Sequence, residues 1–183
     1  MITHSGVWVD ADTGVPPLLD IAVQLGRITR WVGSTKNYYS VLHHSFVCYR
    51  IGQTLSDDPK AHLACLLHDA HECMTGDVPA PVKPTVLIEV QGKIDSRIAA
   101  SLGMPGLFIG HAKIVKTADV RALNIEASEL LQPMARLFFD LPVASDREIL
   151  RAVISEYPSH YDYLEESGQA IKDFIQLVGK LNV

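Results

Sequence analysis

Residues 59–74 read PKAHLACLLHDAHECM, and the periodicity of this stretch decides the fold. Ala61, Leu63, Ala64, Leu66 and Leu67 recur at helical intervals, not at the alternation of a strand. Pro59 stands where a first helical turn tolerates proline, just after Asp57-Asp58. The helix is expected to run to about Met74, where Thr75-Gly76-Asp77 ends it. Its apolar run closes on His68-Asp69-Ala70-His71-Glu72. His68 and Glu72 are four apart and Asp69 and Glu72 three apart, so on one helix all three would face one site.

Working outward, Ser40 is a good N-cap for a helix from Val41 to about Leu55, with Val41, Leu42, Val47, Cys48 and Ile51 apolar. Upstream, Asp20 caps or opens a first helix that runs to about Trp31 and ends at Gly33-Ser34. Before it, Val7 to Asp10 is either an edge strand or an extended arm. Downstream, Pro79, Pro81 and Pro84 hold a loop away from regular structure. A fourth helix covers about Val86 to Leu102 and breaks at Gly103-Met104-Pro105-Gly106. A fifth runs from about His111 to Phe139, bent near Pro133, followed by helices near Asp146 to Ile154 and Tyr161 to Leu181. Every long segment keeps the helical period, so the fold class is all-α. No repeat or linker divides the chain, and its 183 residues suit a single domain over 1–183.

Composition narrows the function classes. Hydrophobic residues make up 48% of the chain, enough for a sizeable core, yet no run is long enough to span a membrane. The opening MITHSGVWVDADTG does not read as a signal peptide, so a cytoplasmic location is the default expectation. The formal net charge is −5 with no long basic stripe, which argues against duplex nucleic acid as a partner. A net acidic chain still binds an anionic substrate where a few cations and a metal dominate a pocket. Cys48, Cys65 and Cys73 lack CxxC spacing and read as buried, reduced thiols, with metal or nucleophile roles as the alternative. The last helix, through Ile171, Phe174, Ile175, Leu177, Val178 and Leu181, packs either in the core or at an interface.

A histidine nitrogen beside a carboxylate, as in His68-Asp69, suits a divalent metal. Two ligands are too few, so others must come from elsewhere. His43-His44 is the upstream candidate, and Asp119, at the end of Ile114-Val115-Lys116-Thr117-Ala118-Asp119, the downstream one. An aspartate in an apolar helix is costly to bury without a partner, and a metal is such a partner. Ligands on three helices fit a bundle whose core holds the ion. His43 and His71 lie off the shared face and read as supporting or structural groups. His4, His62 and His160 read as surface residues, and His111 as a helix cap or surface group.

Four blocks occur in a telling order. They are Tyr39-Ser40-Val41-Leu42-His43-His44-Ser45, His68-Asp69-Ala70-His71-Glu72, Thr75-Gly76-Asp77-Val78-Pro79-Ala80-Pro81-Val82-Lys83 and Lys116-Thr117-Ala118-Asp119. Together they resemble the HD-superfamily phosphohydrolases, in particular the branch of bacterial 5′-deoxynucleotidases and phage dATP triphosphohydrolases. The likeness spans about Arg27 to Glu126. It implies an HD-domain helical bundle with His44, His68, Asp69 and Asp119 as ligands of a core metal, His44 being taken over His43 because a serine follows it. It implies that Glu72 handles the attacking water or the leaving group, and that Asp77 is a second acidic group near the phosphate. Arg30, Lys83 and Lys116 match phosphate-binding positions, and Trp31 matches a ring that packs on the sugar and disfavours a 2′-hydroxyl. The implied cofactor is Co²⁺, Mn²⁺ or Zn²⁺, with Mg²⁺ on the phosphates as a second ion.

The chemistry is coherent without the family. Phosphoryl transfer needs charge neutralisation and positioning more than covalent chemistry. The expected substrate is a deoxyribonucleotide, with dATP triphosphohydrolase activity first and 5′-deoxynucleotidase activity on dNMPs as the alternative. The Lys83 position favours a longer phosphate chain, whereas Gly33 leaves room at the base edge for other purines. A non-catalytic HD module that senses nucleotides is the remaining class. The resemblance also implies a homo-oligomer, dimer or hexamer, and its phage branch implies a phage-encoded enzyme in a host cytoplasm.

Overall fold

The computed structural model describes residues 1–10, 12–158 and 168–181. Its elements are helices α1 (Leu18–Arg27), α2 (Val41–Leu55), α3 (Pro59–Leu67), α4 (Glu72–Thr75), α5 (Thr85–Ser101), α6 (Leu107–Gly110), α7 (Ala112–Leu130), α8 (Ala144–Glu156) and α9 (Gln169–Leu181). Three short 3-10 turns join them, at Arg30–Gly33, Ala80–Val82 and Pro133–Phe138. The described residues form no strand; isolated bridges pair Ile2 with Trp8 and Thr29 with Ser40. The fold is all-α, as the helical periodicity predicts. Val7 to Asp10 belongs to an extended arm, pinned where Asp20 accepts hydrogen bonds from the Ser5 N–H at 3.1 Å and the Ser5 hydroxyl at 2.7 Å.

Helix α2 is the axis of the molecule and packs on α1, α3, α7 and α8. Residues Val41 to Cys48 are buried without interruption, so this helix has no solvent face over its first two turns. Such enclosure leaves its polar members, His43, His44 and Ser45, dependent on protein partners. Ser40 caps the helix as the sequence predicts, accepting from the His43 N–H, while the His43 ring reaches back to the Ser40 N–H. The other ring nitrogen of His43 meets the Tyr157 carbonyl at 2.9 Å, so this histidine is a structural group. The apolar face of α9 resolves to the core: Ile171, Phe174 and Val178 are buried, with Phe174 edge-on to Phe46.

Expected boundaries of α1, α3 and α7 are corrected. Helix α1 stops at Arg27, not near Trp31, and Asp20 lies in its first turn while Pro17 holds the cap position. After it, Trp31, Val32 and Gly33 take left-handed backbone at φ 57°, 52° and 75°. Helix α3 does not continue to Met74. Beyond Leu67 the chain tightens to i→i+3 bonds, from Ala70 N to Leu67 O and Glu72 N to Asp69 O, both 2.9 Å, before α4 begins. Helix α7 ends at Leu130 instead of bending at Pro133, because Leu131 is extended and the 3-10 turn starts afresh. The last helix is described from Gln169, and its expected start at Tyr161, like His160, lies outside the described residues.

Removal of the Ser40 cap tests the weight of this axis. Ser40→Ala is expected to lower unfolding stability by ~1 kcal/mol, read from urea denaturation followed by circular dichroism.

Candidate metal centre

Three elements deliver the ligands the sequence singles out. His44 comes from α2, His68 and Asp69 from the tightened link after α3, and Asp119 from α7. His44 Nε2 lies 3.3 Å from His68 Nε2, 3.5 Å from Asp69 Oδ2 and 3.6 Å from Asp119 Oδ1. His68 Nε2 lies 3.2 Å from Asp69 Oδ2 and 4.0 Å from Asp119 Oδ1. Donor atoms held at ~2.1 Å from a common cation sit roughly 3 to 4 Å from one another, and these separations fall in that range.

The chemistry of the donors points the same way. His68 Nδ1 lies 2.9 Å from the Cys65 carbonyl, which can only accept, so Nδ1 carries the hydrogen. His44 Nδ1 lies 2.6 Å from Glu126 Oε1, which fixes its hydrogen on the same side. Both Nε2 atoms therefore face each other as lone pairs, or as two N–H groups if both rings are protonated. A shared proton or a cation relieves either arrangement. Burial lowers the His68 pKa, yet the Asp69 carboxylate more than reverses this and holds it at about 10. Burial and the Arg30 guanidinium oppose charge on His44 too, but nearby acidic groups, Glu126 among them, hold its pKa well above the usual value. Asp119 is pushed up by burial but pulled well below the carboxylate range by its contact with His44. The cluster thus retains positive charge strongly, and the residues present fit a divalent ion.

Glu126 is the functional residue that the sequence reading missed. It is fully buried on α7, seven residues beyond Asp119 and so on the same face. Besides His44 it accepts from the Tyr39 hydroxyl at 2.9 Å and the Trp31 indole N–H at 3.2 Å, and it faces Arg30 Nη2 at 3.7 Å. A carboxylate that orients a ligating histidine through its second nitrogen is a recurring feature of metal sites. The available signal was a second acid at helical spacing from Asp119 in an apolar helix.

The other expected site residues divide. Arg30 is buried among carboxylates, with Nη1 3.5 Å from Asp77 Oδ1 and 3.8 Å from Asp69 Oδ2, and its Nε has no partner. Asp77 thereby joins the cluster. Trp31 joins through Glu126, with its ring edge-on to Phe139 at 5.4 Å. Lys116 stands at the rim, 74% exposed and 3.2 Å from Asp119 Oδ2. Lys83 is half-buried beyond the Ala80–Val82 turn and makes no ion pair with the cluster among the described residues. Of the residues expected to share a face, His68 lies 3.2 Å from Asp69 and Glu72 follows the tight link. In 3-10 geometry i and i+3 eclipse, so Glu72 lines up with Asp69. Its ligand atom groups with those of Asp69 and His71 within 4.8 Å. Burial first, then Asp69 and Asp77, push the Glu72 pKa up to about 9.

Cys48 also comes near, with Sγ 3.4 Å from His44 Nε2 and 4.0 Å from Nδ1. Such similar distances to both nitrogens put the thiol beside the ring and off the axis of the Nε2 lone pair. The three cysteines are free and buried. His62 is half-buried and bonds the Ser56 carbonyl at 2.6 Å instead of standing free on the surface. His111 precedes α7 and pairs with Asp58 at 3.8 Å.

No protein-family model matches the chain. Over 113 residues it is 32% identical to YfdR, an uncharacterized protein of Escherichia coli K12, covering 61% of this chain and 59% of that protein. Over 119 residues it is 29% identical to an uncharacterized protein of Rhodobacter capsulatus, covering 61% of each. The chain spans about three-fifths of the length of the curated relatives it matches. Neither name states an activity, so the site is read from its own residues.

Two outcomes are expected. Glu126→Gln leaves the ligands in place but loosens His44, lowering affinity for Co²⁺ or Mn²⁺ by roughly 10- to 100-fold in equilibrium dialysis. Glu72 gives a pH signature in the metal-free protein. Its folded pKa of about 9 exceeds the ordinary 4.5, so its contribution is complete below pH 4.5 and is lost as pH rises through 9. Stability measured in chelator should therefore fall more steeply with pH in the wild type than in Glu72→Gln, by at most ~1.4 kcal/mol per pH unit. Parallel curves would contradict the raised pKa.

Proposed function

We propose that this chain is a metal-dependent phosphohydrolase of the HD superfamily that acts on deoxyribonucleotides. The observation that carries the reading is the convergence of His44, His68, Asp69 and Asp119, from three elements, on one position beside Arg30 and Glu72. A divalent cation held by those four residues, Co²⁺, Mn²⁺ or Zn²⁺, would supply charge to a phosphoryl oxygen and acidify water. Arg30, backed by Asp77 and Glu126, presents a buried guanidinium to an incoming phosphate. Glu72 is buried beside Asp69 and has an unpartnered oxygen, Oε2. It is suited to handle the attacking water or the departing oxygen as a general acid or base. Asp119 is 27% exposed and opens the cluster to solvent beside Lys116, the side from which a nucleotide enters.

The substrate we propose is dATP or a related dNTP, hydrolysed to the deoxynucleoside, with Mg²⁺ accompanying the phosphates. 5′-deoxynucleotidase activity on dNMPs is the second reading. Trp31, tied to Glu126 and Phe139, is placed to guard the sugar. Oligomerisation is part of the proposal, supported by exposed Met134, Leu137, Phe138 and Leu141 in one short segment beyond α7. No helix among the described residues is long and apolar enough to cross a membrane.

Product analysis by chromatography tests the reading. With Co²⁺ or Mn²⁺, deoxyadenosine should form from dATP with little product from ATP; turnover of dNMPs alone makes the chain a 5′-deoxynucleotidase. Asp69→Ala should lose metal and activity together. Glu72→Gln should keep the metal and lose turnover by 10²- to 10⁴-fold, the usual weight of general acid–base catalysis. Absence of turnover with every metal and nucleotide would refute the enzyme.

A further inference from the structure

A second group of donors shares Asp69 with the histidine pair. The tight link at residues 68–71 brings ligand atoms of Asp69, His71 and Glu72 within 4.8 Å of one another. His71 is 7% exposed and Glu72 2% exposed, yet His71 Nε2 and Glu72 Oε2 are buried with no hydrogen-bond partner. Two orphaned donor atoms in one place are costly and call for an occupant. The state of His71 limits what the occupant can be. Its Nδ1 lies 2.9 Å from Asp95 Oδ1, an acceptor on α5, which places a hydrogen on Nδ1 and leaves Nε2 as the unpartnered nitrogen. This is again the carboxylate–histidine arrangement that orients a ligand.

We propose that Asp69, His71 and Glu72 form a second divalent-cation site, with Asp69 bridging it to the first. The proposal rests on the metal-binding half of the function proposed above. Asp69 directs Oδ2 at His44 and His68 and has a second oxygen to offer. One imidazole and two carboxylates suit a first-row ion such as Mn²⁺, Co²⁺, Fe²⁺ or Zn²⁺ over Mg²⁺ or Ca²⁺, which take oxygen ligands.

Mn²⁺ is the probe, added to the full chain in excess Mg²⁺ that fills surface carboxylates. Equilibrium dialysis should give two Mn²⁺ per chain, and the electron paramagnetic resonance spectrum should show the broadening of two coupled ions. His71→Ala should bind one Mn²⁺ and give an uncoupled spectrum. Asp95→Asn, which spares all three ligands, should retain two ions with the weaker affinity reduced roughly 10- to 100-fold; it carries the test if His71→Ala fails to fold by circular dichroism. Saturation of the wild type at one Mn²⁺, or two unaltered ions in both variants, overturns the proposal. One ion with dATP or dNMP hydrolysis leaves the phosphohydrolase standing without the second site. Two coupled ions without hydrolysis do the reverse, and no bound ion removes both.

Discussion

A single buried carboxylate organises the site. Glu126 has no exposed surface and so must find its whole hydrogen-bonding complement inside the protein. It takes donors from three separate places: His44 on α2, Tyr39 just before α2, and Trp31 beyond α1, with Arg30 beside it. Breaking such a buried charge cluster at one member leaves uncompensated charge, at a cost of roughly 3–5 kcal/mol. That cost fixes how α7 and α2 sit relative to one another, and it places His44 Nε2 opposite His68. Asp119 follows from the same constraint, being two helical turns away on the same face of α7.

The same carboxylate accounts for the left-handed stretch of backbone at Trp31 and Val32. Val32 is β-branched and sits at φ 52°, a conformation that costs about 1–3 kcal/mol. Its side chain is exposed and gains nothing in return. The gain lies on either side of it, where the left-handed turn lets Arg30 and Trp31 both reach Glu126. Strain at Val32 is thus offset by satisfaction of a charge elsewhere, and the turn is held by its neighbours instead of by its own propensity.

Much of this was legible in the sequence. The helical period gave the fold class, and Ser40 and Gly76 mark real ends, Ser40 as a cap and Gly76 at φ 76°. His44, His68, Asp69 and Asp119 were found as candidates by residue type and order, and the structure brings them together. What failed was continuity. The pattern through Leu67 reads unbroken to Met74 because Ala70 and Cys73 are apolar at helical spacing, and both are indeed buried. Periodicity does not distinguish i→i+4 from i→i+3 bonding over a single turn. Glu126 was missed because a lone glutamate in a helix reads as a solvated residue unless its burial is known.

The charge balance of the cluster links these features to metal chemistry. Asp69, Asp77 and Glu126 surround one guanidinium, that of Arg30, and Asp119 lies against His44. Without a metal the deficit is met by protons on His44 and His68, which is why both imidazoles hold protons so tightly. A divalent ion in the proposed site would replace those two protons without changing the net charge, so metal affinity must rise with pH as the imidazoles are freed. Glu72 sits one step outside this exchange. Its burial favours the neutral acid, and the two acidic neighbours favour it further, until a cation arrives close enough to reverse both.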